Sequence, residues 1–149
     1  MSTLKRFAIG FSFPGAVRNR AKAIADILSA TFSQDRILYD YYHAAEFARA
    51  NLDTYLQNLY KNETELVVIF ICHAYNQREW CGVEWRALRS RLNKKDYDSI
   101  MFLKVNDGEP DGYFGNVDGS IDITTKSDDE VADLILQRYQ INQTLERPE

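Results

Sequence analysis

Apolar and polar positions along this chain switch repeatedly between two periods. Residues 7–13, FAIGFSF, form a compact apolar run closed by Pro14-Gly15. Proline has no N–H for a ladder and glycine opens a turn, so the run predicts a first strand. Val17, Ala21, Ile24 and Leu28 then recur at helical spacing, with Ala25, Ile27 and Phe32 beside them, and predict an amphipathic helix over residues 16–32. Ile37-Leu38-Tyr39 predicts a short second strand. Residues 40–47, DYYHAAEF, keep neither period and predict a functional loop. After it Leu52, Tyr55, Leu56, Leu59 and Tyr60 restore the helical period.

The run at 66–72, LVVIFIC, is apolar on both faces and rich in β-branched residues, as the central strand of a parallel sheet covered on both sides must be. The stretch REWCGVEW follows, and a third helix continues from it through Trp85, Leu88 and Leu92. Strands are predicted at 100–105 and 121–123. Ser127-Asp128-Asp129-Glu130 has capping-box spacing, and Val131, Leu134, Ile135 and Tyr139 carry a last helix from it. Residues 141–149 read as a polar tail, a possible linker to a further domain.

Strands separated by single helices require right-handed crossovers. The expected fold is therefore α/β, a flavodoxin-like doubly wound, five-stranded parallel sheet with helices on both faces. Ligands of such folds sit beyond the carboxyl ends of the strands. Three loops should converge there: Ser12-Phe13-Pro14-Gly15, Asp40-Tyr41-Tyr42, and residues 73–80, with Glu84 close by.

Composition narrows the function. The 149 residues suit one domain, assigned to 1–140, and 45% hydrophobic with 27% charged residues is a globular balance. A net charge of −4 argues against a nucleic-acid surface. The longest apolar run is far short of the roughly 18 residues of a spanning helix. The amino-terminal stretch lacks the features of a secretory signal, so a cytoplasmic protein is expected, and the Asn62 and Asn142 glycosylation patterns are discounted. Cys72 and Cys81 read as buried reduced thiols, and with His43 and His73 they lack zinc-site spacing. The acidic stretch 107–112 lacks calcium-loop spacing and reads as a connection able to meet a neighbouring subunit. No GxGxxG or P-loop pattern occurs.

The chemistry concentrates at Trp80 and Glu84. Their i, i+4 spacing puts indole and carboxylate on one helix face. A first-turn glutamate also serves simply to start a helix, and both Trp80 and Trp85 suit a core. Asp40 reads equally as a turn cap or a site residue. Arg18 and Arg20 read as a solvated helix face, although Arg18 and the helix start after Gly15 are the available anion donors. Phe13, Tyr41 and Tyr42 are candidates for stacking.

Three stretches together resemble the Toll/interleukin-1 receptor (TIR) domain, in its bacterial and plant-like NAD-cleaving branch: FAIGFSFPGAVRNR the first box, ILYDYY the second strand leading to the BB loop, and LVVIFICHAYNQREWCGVEWRAL the third strand with the tryptophan, cysteine and glutamate that follow it. The similarity spans about residues 5–140. It implies that Glu84 is the catalytic carboxylate for cleaving the nicotinamide–ribose bond of NAD+. It further implies that Ser12, Phe13, Asp40, Phe47 in the BB loop, and Trp80 line the substrate. The BB loop lacks the glycine or proline often seen there, and Pro14-Gly15 replaces a basic pair of some animal members.

NAD+ is then the substrate, and no cofactor or metal is expected. One carboxylate is an adequate inventory, because nicotinamide carries its positive charge before it leaves and departs neutral. The resemblance also implies self-association through the BB loop, control by a sensor domain or partner, and a place in bacterial antiviral or cell-suicide defence. The contrasting reading is a non-catalytic TIR module that signals by homotypic docking. A receiver-like protein is disfavoured, since Ser12-Phe13 and Cys72-His73 stand where an acidic cluster and a phospho-accepting aspartate belong.

Overall fold

A computed structural model of the chain describes residues 5–13, 15–71, 98–105 and 119–146. It contains the strands β1 (Phe7–Ser12), β2 (Ile37–Leu38), β3 (Thr64–Ile71), β4 (Ile100–Lys104) and β5 (Ile121–Asp122). The helices among the described residues are α1 (Arg18–Phe32), α2 (Ala44–Phe47), α3 (Leu52–Asn62) and α4 (Asp128–Glu146). The predicted third helix through Trp85, Leu88 and Leu92, both cysteines, His73 and the stretch 107–112 lie outside the described residues.

The five strands form one sheet in the order β2-β1-β3-β4-β5, every pair parallel. This is the flavodoxin-like α/β arrangement expected from the sequence. The unbroken apolar run of β3 has a direct cause in it. Leu66, Val68 and Phe70 enter the layer shared with α1 and α4, while Val67, Ile69 and Ile71 enter the layer under α3. Both faces of the strand are covered, so neither can be polar.

On the first face Ala21, Ile24, Ala25 and Leu28 of α1 meet Val131, Ala132 and Ile135 of α4, and the Phe32 and Tyr139 rings cross edge to face at 5.0 Å. On the other, Leu56, Leu59 and Tyr60 of α3 lie against β1 and β3. Gly10 makes this approach possible. A Cβ built on it would stand 2.9 Å from Thr64 Cγ2 and 3.3 Å from Tyr60 Cε1. The absent side chain lets the Tyr60 hydroxyl donate to the Phe11 carbonyl.

The capping box forms as its spacing predicts: the Ser127 hydroxyl accepts from Glu130 N–H at 3.1 Å, and the Glu130 carboxylate accepts from Ser127 N–H at 3.3 Å. Strand ends differ from expectation by one or two residues, and helical boundaries differ in three places. The helix expected from residue 16 starts at Arg18, after a 3-10 turn at Gly15–Val17. The aperiodic stretch 40–47 is a 3-10 turn, Asp40–His43, running into the single turn of α2. The last helix continues through Glu146, past the expected start of a tail at 141. Polar contacts secure that extension: buried Asn142 donates to the Asp98 carbonyl at 2.7 Å, and Gln143 to Glu65 at 3.3 Å.

Glu65, at the start of β3, is a junction. It accepts from Arg36 at 2.8 Å and from the Tyr139 hydroxyl at 2.9 Å, so β3, the turn before β2 and α4 meet on one carboxylate. Burial followed by this hydrogen bond pushes the Tyr139 phenol up to about 12. Among the described residues no helix is long and apolar enough to cross a membrane.

Candidate functional site

The register brings distant stretches to one edge. Gly10 is level with Leu38 and Ser12 with Ile69, so Phe13, Tyr39-Asp40 and the exit from β3 at Ile71 all lie at the carboxyl ends of neighbouring strands. β1 sits between β2 and β3, and the chain reverses its direction of winding there. Open α/β sheets bind ligands at such a switch point.

The residue that organises this edge is Arg18, in the first turn of α1. Its Nη1 and Nη2 donate to Asp40 Oδ1 and Oδ2 at 2.9 and 2.8 Å, a fork-to-fork pair. Its guanidinium carbon lies 5.0 Å from the centre of the Phe13 ring, 5.9 Å from Tyr39 and 4.1 Å from Tyr41. Three aromatic rings thus surround a cation whose charge one carboxylate balances. The hydrogen bonds to Asp40 raise the Arg18 pKa above its already high value, against the opposing effect of burial. Burial likewise raises that of Tyr39, against the pull of Arg18. Arg18 is therefore no solvated helix face. Nor is Arg20, which donates to Asp128 at 2.9 Å and to the Ile123 and Lys126 carbonyls at 2.8 and 2.7 Å, tying α1 to the start of α4.

The residues that the sequence assigned to substrate separate into groups. Phe13, Arg18 and Asp40 do come together, while Ser12 is level with Ile69 of the layer under α3. Ser12 and Phe13 are nonetheless buried, and Phe13 packs against Tyr39 at 5.9 Å and Phe70 at 6.4 Å, so its ring is core beneath Arg18 and offers no face for stacking. Asp40 acts as a turn cap as well as the partner of Arg18, since Oδ1 also accepts from Tyr41 N–H at 2.9 Å. Gly15 faces open space. The fork of Arg18 already holds an anion, Asp40, so a substrate phosphate at that fork must share or displace it.

Phe47 goes elsewhere. It is buried with Phe7, Leu38 and Leu56 in the layer under α3, with its ring 5.8 Å from His43 and 6.2 Å from Tyr55. An apolar side chain on a one-turn helix follows the nearest core, and that core lies on the far face from Phe13. Trp80 and Glu84 lie outside the described residues.

Two contacts in the 40–47 segment have no signal in the sequence. The Tyr42 hydroxyl donates to Asp26 of α1, which, with Lys22, lowers the Asp26 carboxyl pKa. Glu46 is held by both ends of the Arg6 guanidinium and by the Tyr55 hydroxyl, chiefly Arg6 bringing its carboxyl down to about 2. Their partners are 16, 40 and 9 residues away along the chain, beyond the reach of local pattern. His43, to which the sequence assigned no role, is half-buried. It shares a hydrogen bond with the Ile37 carbonyl at 2.8 Å and lies edge-on to Phe7.

No protein-family model matches the chain, and no curated protein matches it.

Proposed function

We propose that the chain is a TIR-type NAD+ glycohydrolase or cyclase that releases nicotinamide and leaves linear or cyclic ADP-ribose. What carries the reading is the sequence WCGVE, Trp80 to Glu84, in the segment that leaves β3 beyond Ile71. The fold supports it: in a β2-β1-β3-β4-β5 sheet the exit from β3 is at the edge where such folds take their ligands.

In the proposed reaction the bond between ribose C1′ and the nicotinamide nitrogen breaks, and its electron pair goes to the ring nitrogen, which becomes neutral. The ribose acquires oxocarbenium character. The Glu84 carboxylate, ionised at neutral pH, stabilises that charge, and Trp80 supplies a dry wall attractive to a cation. Water adding at C1′ and losing a proton gives ADP-ribose. An adenine nitrogen adding there gives the cyclic isomer. Activity rises when copies associate through the segment after β2, as expected of an effector in bacterial antiviral or cell-suicide defence.

The test is nicotinamide release from NAD+ by the purified chain beside Glu84→Ala. Release that vanishes in the folded variant supports the enzyme. If wild-type protein is folded and self-associated yet releases none, the enzymatic reading fails and the homotypic docking module takes its place.

A further inference from the structure

The Arg18 cluster leaves one aromatic surface uncovered. Tyr41 is 60% exposed, in a chain whose other described aromatic rings are covered or partly covered. Its position is fixed from behind in three ways. The Arg18 guanidinium stacks at 4.1 Å, the Tyr39 ring leans on it at 5.6 Å, and the Tyr41 backbone N–H is held by the same Asp40 oxygen that takes Arg18. An exposed ring costs little to immobilise on binding when it is already immobile. It stands beside the switch point, one residue past Asp40, on the β2 side of the edge.

We infer that the outer face of Tyr41 is a stacking platform for a neutral purine, the adenine end of a nucleotide ligand. The chemistry of its inner face selects the ligand. A guanidinium draws the ring's negative quadrupole toward itself, so the outer face is a poorer partner for a second cation and a better one for a neutral, electron-rich base. The cationic nicotinamide ring is therefore disfavoured there. Because Asp40 balances Arg18, the platform adds no net charge and works by stacking. The identity of the nucleotide rests on the NAD+ reading; the preference for a neutral base rests on the geometry alone.

The experiment measures binding of AMP and, separately, of nicotinamide mononucleotide to the whole chain by calorimetry or ligand-observed NMR, for wild type, Tyr41→Phe and Tyr41→Ala. The expected result is AMP binding that weakens roughly tenfold or more in Tyr41→Ala and is kept in Tyr41→Phe. Nicotinamide mononucleotide should be insensitive to both substitutions. Equal AMP affinity in wild type and Tyr41→Ala overturns the platform, and so does absence of AMP binding to wild type at millimolar concentration. Cleavage of NAD+ is scored independently. An active enzyme indifferent to Tyr41 sinks the platform alone, and Tyr41-dependent AMP binding by a chain that cleaves no NAD+ keeps the platform and sinks the enzyme.

Discussion

Arg18 and Asp40 join the first turn of α1 to the start of the 3-10 turn after β2 through two parallel N–H···O contacts, at 2.9 and 2.8 Å, and about a quarter and a third of their respective side-chain surfaces remain exposed. A double-mutant cycle with Arg18→Met and Asp40→Ala should give a coupling of about 1–2 kcal/mol in urea unfolding, above the usual surface pair. Arg18→Lys should recover little of it, since an ammonium has neither the planar fork nor the flat face that Tyr41 covers. Full recovery by lysine would reduce the pair to simple charge attraction.

Gly10 is a matter of space. Gly10→Ala puts a methyl against Thr64, whose own hydroxyl is committed to the Leu59 carbonyl at 2.8 Å, and against the Tyr60 ring. The expected loss is about 1–3 kcal/mol in chemical denaturation. An unchanged midpoint would mean that α3 moves away from the sheet at no cost.

Glu46 makes stability depend on acidity. Its carboxyl is brought from the ordinary 4.5 down to about 2, mainly by the hydrogen bonds from Arg6. The stabilisation is thus fully present above pH 4.5 and is lost as pH falls toward 2. Arg6 is 40% exposed, so water screens the pair and its worth at neutral pH is on the order of 1 kcal/mol. Urea midpoints across that range should show wild type converging on Glu46→Gln as the solution is acidified. Parallel curves would remove Glu46 from the acid response.

Residues 141–146 belong to the packed helix. Deleting 141–149 removes the Asn142 and Gln143 contacts to Asp98 and Glu65, and should cost about 1–3 kcal/mol in unfolding free energy. A truncated chain as stable as the whole would make the last turns of α4 ornamental.

If the proposed enzyme depends on assembly, nicotinamide release per mole of chain should climb with protein concentration. A strictly proportional rate over a wide range would show that a single copy suffices.

The elements were legible wherever periodicity was strong. The doubly apolar β3 announced a covered parallel strand, and Ser127 to Glu130 announced where α4 starts. Periodicity failed at 40–47, since a 3-10 turn followed by one turn of helix is too short to repeat. It failed again at 141–146, where polar anchors such as Asn142 secure the helix and leave no hydropathy signal. The candidate site was legible only as a neighbourhood. Topology brought Phe13, Arg18 and Asp40 together, as expected from strand ends in such a sheet. The roles within it depended on partners distant in sequence: Arg18 turned inward to Asp40, Phe13 into the core, and Phe47 to the opposite layer.

The Glu65 junction sets an order of events for a chain being synthesised. By the time β3 is complete, Arg36 is already available to that carboxylate, while Tyr139 and Gln143 have yet to be made. Until they emerge, the side of the sheet bearing Val68, Met101 and Leu103 lacks the cover that Val131, Ala132 and Ile135 of α4 give it. Docking of α4 closes that layer and completes the Glu65 junction.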